Sequence, residues 1–123
     1  MDHNTAITES IIGCAIRVHE SLGAGLLESA YHTALCIELA KAGIKFERDP
    51  LIPLSYDGIH VGSYRPDLVV EGQAVVEIKS VLRFEPVFRA QMLTYLRITN
   101  LRVGLILNFN KCRLKDGITR VVL

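Results

Sequence analysis

The sequence predicts a single α/β domain in which a mixed β-sheet is flanked by helices. Its 123 residues fit one domain, and 50% of them are hydrophobic, which is enough for a continuous core. Near the amino terminus, Ile7, Ile11, Ala15 and Val18 recur at helical spacing and would share one buried face. Short apolar segments separated by tight-turn sequences follow, as is typical of strands. We therefore expect one domain over residues 1–123.

Three helices are predicted from their start and stop signals. Asn4 or Thr5 can cap a first helix that ends near residue 21, before the break at Gly23-Ala24-Gly25. A second helix is expected over residues 26–42, with Leu27 on its inner face. Pro86 can open a third helix that runs to about residue 99.

The strands are predicted from short apolar segments between turns. Besides the central hairpin, they cover residues 44–48, 51–56, 59–62, 101–107 and 118–123. Pro53 marks the second of these as an edge or irregular strand. The unbroken hydrophobicity of residues 101–107 favours an interior strand.

The central hairpin, residues 64–80, carries charged side chains among apolar ones. Glu77 and Lys79 share a face of its second strand, because strand side chains alternate with a period of two. A two-residue loop at 72–73 would put Asp67 and Glu77 on opposite faces. A three-residue loop at 71–73 puts them opposite each other and leaves one wholly apolar face, made of Leu68, Val70, Ala74, Val76 and Ile78. We expect the second register, because hydrophobic patterning sets strand pairing.

Two interpretations of the charged hairpin face remain open from these residues alone. Burying charges among apolar side chains is unfavourable unless something compensates, and a divalent cation held by Asp67 and Glu77 would do so. The other interpretation is a solvated outer face with a cross-strand contact between Asp67 and Lys79.

Charge is distributed unevenly along the chain. Residues 1–78 carry five Lys or Arg and eleven Asp or Glu. Residues 79–123 carry nine Lys or Arg and two Asp or Glu. Arg83 and Arg89 are the first arginines after the hairpin. This asymmetry is compatible with a surface that binds a polyanion, or with two halves that neutralise each other across the fold.

The three cysteines, Cys14, Cys36 and Cys112, are far apart and form no metal-binding pair. We expect all three to be small buried apolar residues in a reducing, cytoplasmic setting. No apolar stretch reaches the roughly 18 residues that a membrane span requires.

Four motifs together resemble the GxxExxY family of the PD-(D/E)xK nuclease-like superfamily. They are residues 25–31 (G-L-L-E-S-A-Y), Pro66-Asp67, Glu77-Ile78-Lys79, and residues 91–95 (Q-M-L-T-Y). Each motif alone is weak, but their order and spacing are specific, and the likeness extends from about residue 19 to residue 120. The resemblance implies a restriction-endonuclease-like core.

The resemblance also implies site residues. Asp67, Glu77, the Ile78 carbonyl and Glu28 would hold Mg²⁺ or Mn²⁺. Lys79 would position or activate the attacking water, with Glu28, Asp67 and Glu77 as its catalytic partners.

Beyond the metal ligands, Gln91 and Tyr95 would hold the substrate backbone or support the metal site, and Arg89 is a further candidate for substrate binding. The implied function is metal-dependent hydrolysis of phosphodiester bonds, in DNA. Because a 123-residue chain has few residues left for substrate recognition beyond the core fold, we also expect a second copy or a protein partner. The alternative is a non-catalytic module that keeps the fold and binds nucleic acid or protein.

Overall fold

The computed structural model describes residues 5–123. Within that range the chain forms three α-helices and seven strands. The helices are α1 (Thr5–Leu22), α2 (Glu28–Lys41) and α3 (Pro86–Thr99). The strands are β1 (Phe46–Arg48), β2 (Ile52–Tyr56), β3 (Ile59–Tyr64), β4 (Leu68–Val70), β5 (Ala74–Lys79), β6 (Val103–Asn108) and β7 (Ile118–Val122). A short 3₁₀ turn, Leu114–Gly117, precedes β7.

A five-stranded mixed sheet forms the centre of the fold, with strand order β1-β4-β5-β6-β7. Strands β5 and β6 are parallel, and their connection contains α3, while the other neighbours are antiparallel. Strands β2 and β3 form a separate two-stranded hairpin with a register irregularity at Leu54/Ser55. This confirms the predicted mixed sheet with flanking helices, and the irregular strand at Pro53.

Helices cover both faces of the large sheet. On one face, α1 and α2 contribute Ile11, Leu35 and Leu39 to a core with Leu68 and Leu105 of the sheet. On the other face, side chains of α3 pack against a second cluster from the sheet: Met92, Tyr95 and Leu96 meet Val69, Val75, Ile106 and Val121. Apolar side chains from the helices therefore cover both faces of the large sheet.

The central hairpin has the expected register. Val70 pairs with Ala74 and Leu68 with Val76, so the loop is residues 71–73. Glu71 and Gly72 both adopt positive φ, which lets this short loop turn. All five side chains of the predicted apolar face lie in the core with α1 and α2. The three-residue loop is confirmed, and extending this register places Asp67 opposite Glu77.

Several sequence-based expectations are wrong. The second helix begins at Glu28 rather than residue 26, so Leu27 lies outside it and is 79% exposed. Cys112 is exposed, whereas Cys14 and Cys36 are buried as expected. The solvated-face interpretation also fails, because α3 covers that face and Glu77 is buried. The proposed cap at Asn4 lies outside the described residues. Within residues 5–123, the helices are too short or too polar to traverse a bilayer.

Candidate active site

Asp67 and Glu77 are joined by a reciprocal pair of hydrogen bonds at the end of β4 and β5. The backbone N–H of Asp67 donates to Glu77 Oε2 at 2.6 Å. The backbone N–H of Ile78 donates to Asp67 Oδ2 at 2.7 Å. One oxygen of each carboxylate thus accepts from a backbone N–H across the hairpin, and each group retains a second oxygen for another partner.

The two carboxyl groups lie in an environment that opposes their ionisation. Glu77 is only 5% exposed. Burial, followed by the negative charge of Asp67, raises the pKa of Glu77 to about 8. Burial also raises the pKa of Asp67, against the opposing effect of the Ile78 N–H. A positive charge beside this pair would favour the ionised forms.

The backbone of Ile78 faces Asp67. Its N–H donates to the Asp67 carboxylate, and the N–H and C=O of one strand residue point to the same side. The backbone carbonyl of the next residue, Lys79, points to the opposite side, toward β6, because it accepts from the N–H of Phe109 at 2.9 Å. The Ile78 carbonyl is therefore directed toward the edge that holds the two carboxylates.

Glu28 reaches this edge from the first turn of α2. Its Oε2 lies 3.4 Å from the backbone N–H of Ser80, immediately after β5. The hydroxyl of Ser80 donates to the Leu26 carbonyl at 2.6 Å, which fixes the entry to α2 beside the end of β5. The negative charge of Glu28 is one of the smaller influences that raise the pKa of Glu77, after burial and Asp67. Glu28 therefore belongs to the same electrostatic group.

Tyr31 explains why the loop before Glu28 has its shape. Its fully buried ring stacks on Phe109, with centroids 4.5 Å apart. Its hydroxyl donates to the Gly23 carbonyl at 2.5 Å and accepts from the Leu26 N–H at 3.1 Å. One side chain thereby closes the turn around Gly25, whose φ of 94° suits glycine. The tyrosine positions the loop that leads to Glu28.

Lys79 is two residues beyond Glu77 and is half-buried on the same face of β5. Its ammonium lies 4.5 Å from the centroid of the Phe88 ring, in a cation–π arrangement. Its positive charge is among the influences that oppose burial in setting the pKa of Asp67 and of Glu77. The structure therefore brings Glu28, Asp67, Glu77 and Lys79 into one region.

The α3 residues differ in their access to this region. The amide of Gln91 donates to the Tyr95 hydroxyl at 3.1 Å, as the four-residue spacing allows. Tyr95 is buried, and burial followed by the charges of Glu77 and Asp67 raises its pKa to about 12. Tyr95 is thus a neutral hydroxyl beside the carboxylates, whereas Arg89 and Gln91 are exposed.

Sequence reasoning missed His32 and Asp49. Ligand atoms of His32, Asp49 and Asp67 lie within 4.8 Å of one another, which makes them a possible acidic and histidine metal site. However, His32 Nε2 is 3.1 Å from the Asp67 carbonyl, which can only accept, so this nitrogen carries a hydrogen and is not free to ligate. The Asp49 N–H donates to the same carbonyl at 2.9 Å. These two residues hold the backbone of Asp67, and neither their residue types nor their spacing in the sequence indicates this contact.

The acidic pair at the end of a core hairpin, with a lysine on the same strand, defines a nuclease-like class of α/β proteins. The chain belongs to the PD-(D/E)XK nuclease superfamily, whose family model matches residues 5–121. Nucleases of this superfamily use divalent metal ions.

The chain is similar to the crystal structure of an alkaline exonuclease from Laribacter hongkongensis, at 14% sequence identity and a TM-score of 0.48, over 94% of this chain and 81% of that one. No curated protein matches the sequence.

Proposed function

We propose that this chain is a metal-dependent nuclease that hydrolyses phosphodiester bonds in DNA. The observation that carries the proposal is the buried, reciprocally bonded pair of Asp67 and Glu77 on the edge that also receives Glu28 and Lys79. Two buried like charges require a compensating cation, and their spare oxygens are the ligands that Mg²⁺ or Mn²⁺ prefers.

The donor set fits such an ion. Asp67 and Glu77 each have one oxygen outside their mutual backbone bonds, and the Ile78 carbonyl points to the same edge. Glu28 would complete the shell directly or through water. When bound, the metal would neutralise the phosphate and lower the pKa of a bound water.

The remaining residues act around the phosphate. Lys79 orients the attacking water and stabilises the negative charge that develops on the phosphate oxygens. The Tyr95 hydroxyl, which accepts from the Gln91 amide, supports the metal site as a neutral polar group. Arg89 and Gln91, which are exposed on α3, contact the substrate backbone.

Within the superfamily, we assign the chain to the GxxExxY family. This assignment is supported by the separate structural roles of the three residues that give the family its name. Gly25 allows the positive-φ turn, Tyr31 closes that turn, and Glu28 faces the end of β5. The proposal includes residues 1–123 as one domain and a cytoplasmic setting, which the three free thiols suit.

Contact with a second copy or a protein partner is also part of the proposal. The β2–β3 hairpin is separate from the large sheet and exposes Tyr56, Ile59 and Val61. Such an apolar surface is a common feature of interfaces between proteins.

The function is tested by incubating purified protein with single- and double-stranded DNA and RNA in Mg²⁺, Mn²⁺ or chelator. We expect cleavage that requires metal, and a loss on the order of 10²-fold or more in Lys79→Met, because the charge at the phosphate is removed. Lys45→Met, an exposed lysine beside the far turn of the hairpin, is the matched control and should cleave normally.

The same assay decides between the two functions. Binding of nucleic acid without metal-dependent cleavage of any substrate would establish the non-catalytic module instead. Equal cleavage by wild type and Lys79→Met would refute the role given to the lysine.

A further inference from the structure

The segment that follows Lys79 exposes large apolar side chains. Leu82 is 86% exposed and Phe84 is 41% exposed, and both lie between β5 and α3. The segment nevertheless has a fixed path. The buried Asn108 side chain accepts from the Val81 N–H at 3.1 Å and donates to the Val81 carbonyl at 3.1 Å. The exposed side chains are thus presented on an anchored backbone.

Two aromatic rings are arranged against each other on this segment. Phe84 and Phe88 lie perpendicular, at an interplanar angle of 89° and with centroids 5.5 Å apart. The ammonium of Lys79 also lies against the Phe88 ring. The ring pair is therefore next to the lysine that we propose stabilises charge on the phosphate. Phe88 is half-buried and Phe84 is exposed, so Phe84 is the ring more available to a ligand.

Exposed arginines flank these rings in the sequence. Arg83 directly precedes Phe84 and Arg89 directly follows Phe88, while the exposed Glu85 lies between the rings. An apolar protein surface would not explain these charges, because the desolvated centres of protein interfaces are depleted in charge. Aromatic faces among cations match an unpaired nucleic-acid strand, which offers bases to stack and phosphates to neutralise.

We propose that Phe84, braced by Phe88, is a stacking platform for an unpaired base next to the cleaved phosphate, so that the substrate is single-stranded nucleic acid or a frayed end. The position of that phosphate rests on the function proposed above. In the interior of a duplex both faces of a base are covered by its neighbours, and presenting one face requires unstacking. An exposed ring beside the reaction centre therefore favours strands whose bases are already free.

The test measures binding separately from cleavage. Dye-labelled thymidine and uridine oligomers and a blunt DNA duplex are titrated with the protein in chelator, over a series of salt concentrations. Phe84→Leu keeps an apolar side chain and the Lys79–Phe88 contact but removes the aromatic face. We expect it to bind single strands about tenfold more weakly, the loss typical of one base–aromatic stack.

Three further results are expected if stacking is the cause. The dependence of affinity on salt should keep its slope in Phe84→Leu, because no phosphate contact is lost. Phe84→Tyr should bind single strands as wild type does. Tyr56→Leu removes a more exposed aromatic ring, 71% exposed at the far end of the β2–β3 hairpin, and should have no effect.

The inference and the nuclease function can fail separately. Unchanged single-strand affinity in Phe84→Leu, or equal losses for single strand and duplex, would overturn the platform even if wild type cleaves. Conversely, Phe84-dependent binding of single strands by a protein that cleaves nothing in any metal would uphold the platform and overturn the nuclease.

Discussion

Glu77→Gln should stabilise the metal-free protein at alkaline pH. The pKa of Glu77 is about 8 in the folded chain, chiefly because the group is buried, against an ordinary value of 4.5. Below the lower value, the carboxyl is protonated in both folded and unfolded chains and imposes no penalty. Between the two values, the unfolded chain releases the proton while the folded chain keeps it, so the free energy of unfolding falls as pH rises.

The size of the effect follows from the same difference. The separation between 4.5 and about 8 corresponds to about 5 kcal/mol of lost stability once pH exceeds the folded value. Water entry and relaxation around the site reduce that figure, so we expect a gap of about 2–5 kcal/mol between variant and wild type near pH 9. Near pH 4 the gap should vanish. A glutamine oxygen can still accept from the Asp67 N–H, so the hairpin bond is preserved.

The assay is urea unfolding followed by circular dichroism, in chelator, from about pH 4 to about pH 9. Glu47→Gln, an exposed glutamate on β1, is the control and should follow wild type. Some pH dependence should persist in Glu77→Gln because the pKa of Asp67 is also raised by burial. If Glu77→Gln and wild type lose stability in parallel as pH rises, the reasoning about burial of this carboxyl is wrong.

Three other variants test neighbouring features. Asp67→Asn should remove most of the rise in melting temperature that Mg²⁺ gives wild type, because binding to the folded state alone is stabilising; Asp57→Asn, in the exposed β2–β3 turn, should retain it. Tyr31→Phe should lower the free energy of unfolding by about 1–3 kcal/mol, because two backbone groups lose their hydroxyl partner. Gly104→Ala should cost about 1–3 kcal/mol, because a Cβ there would clash with the Met92 side chain of α3. Urea unfolding measures both, and unchanged midpoints would contradict the packing described.

The sequence was most informative where one periodic pattern had to satisfy a buried face. The loop at residues 71–73 could be chosen because a shift by one residue would have turned Leu68 and Val76 away from the core. The same shift would have separated Asp67 from Glu77. Register and site were therefore predicted by a single argument about alternation.

Contacts between distant segments could not be predicted in this way. His32 lies on α2 and Asp49 directly follows β1, so their contacts with the Asp67 carbonyl exist only in the folded chain. Cys112 is exposed because of the path its loop takes before the 3₁₀ turn, and neither its residue type nor its spacing indicates that path. The Phe84–Phe88 pair likewise depends on how the segment after β5 is anchored by Asn108.

The reciprocal bonding of Asp67 and Glu77 has an evolutionary consequence. Each acid accepts a backbone hydrogen bond of the hairpin, so selection for a folded chain alone would preserve an acceptor at both positions. Asparagine and glutamine oxygens accept such a bond as well, and at position 77 an amide avoids the buried charge. A descendant that lost its reaction would therefore tend to exchange acid for amide while its hairpin stayed intact. Inactive copies should be recognisable by Asn or Gln at positions 67 and 77.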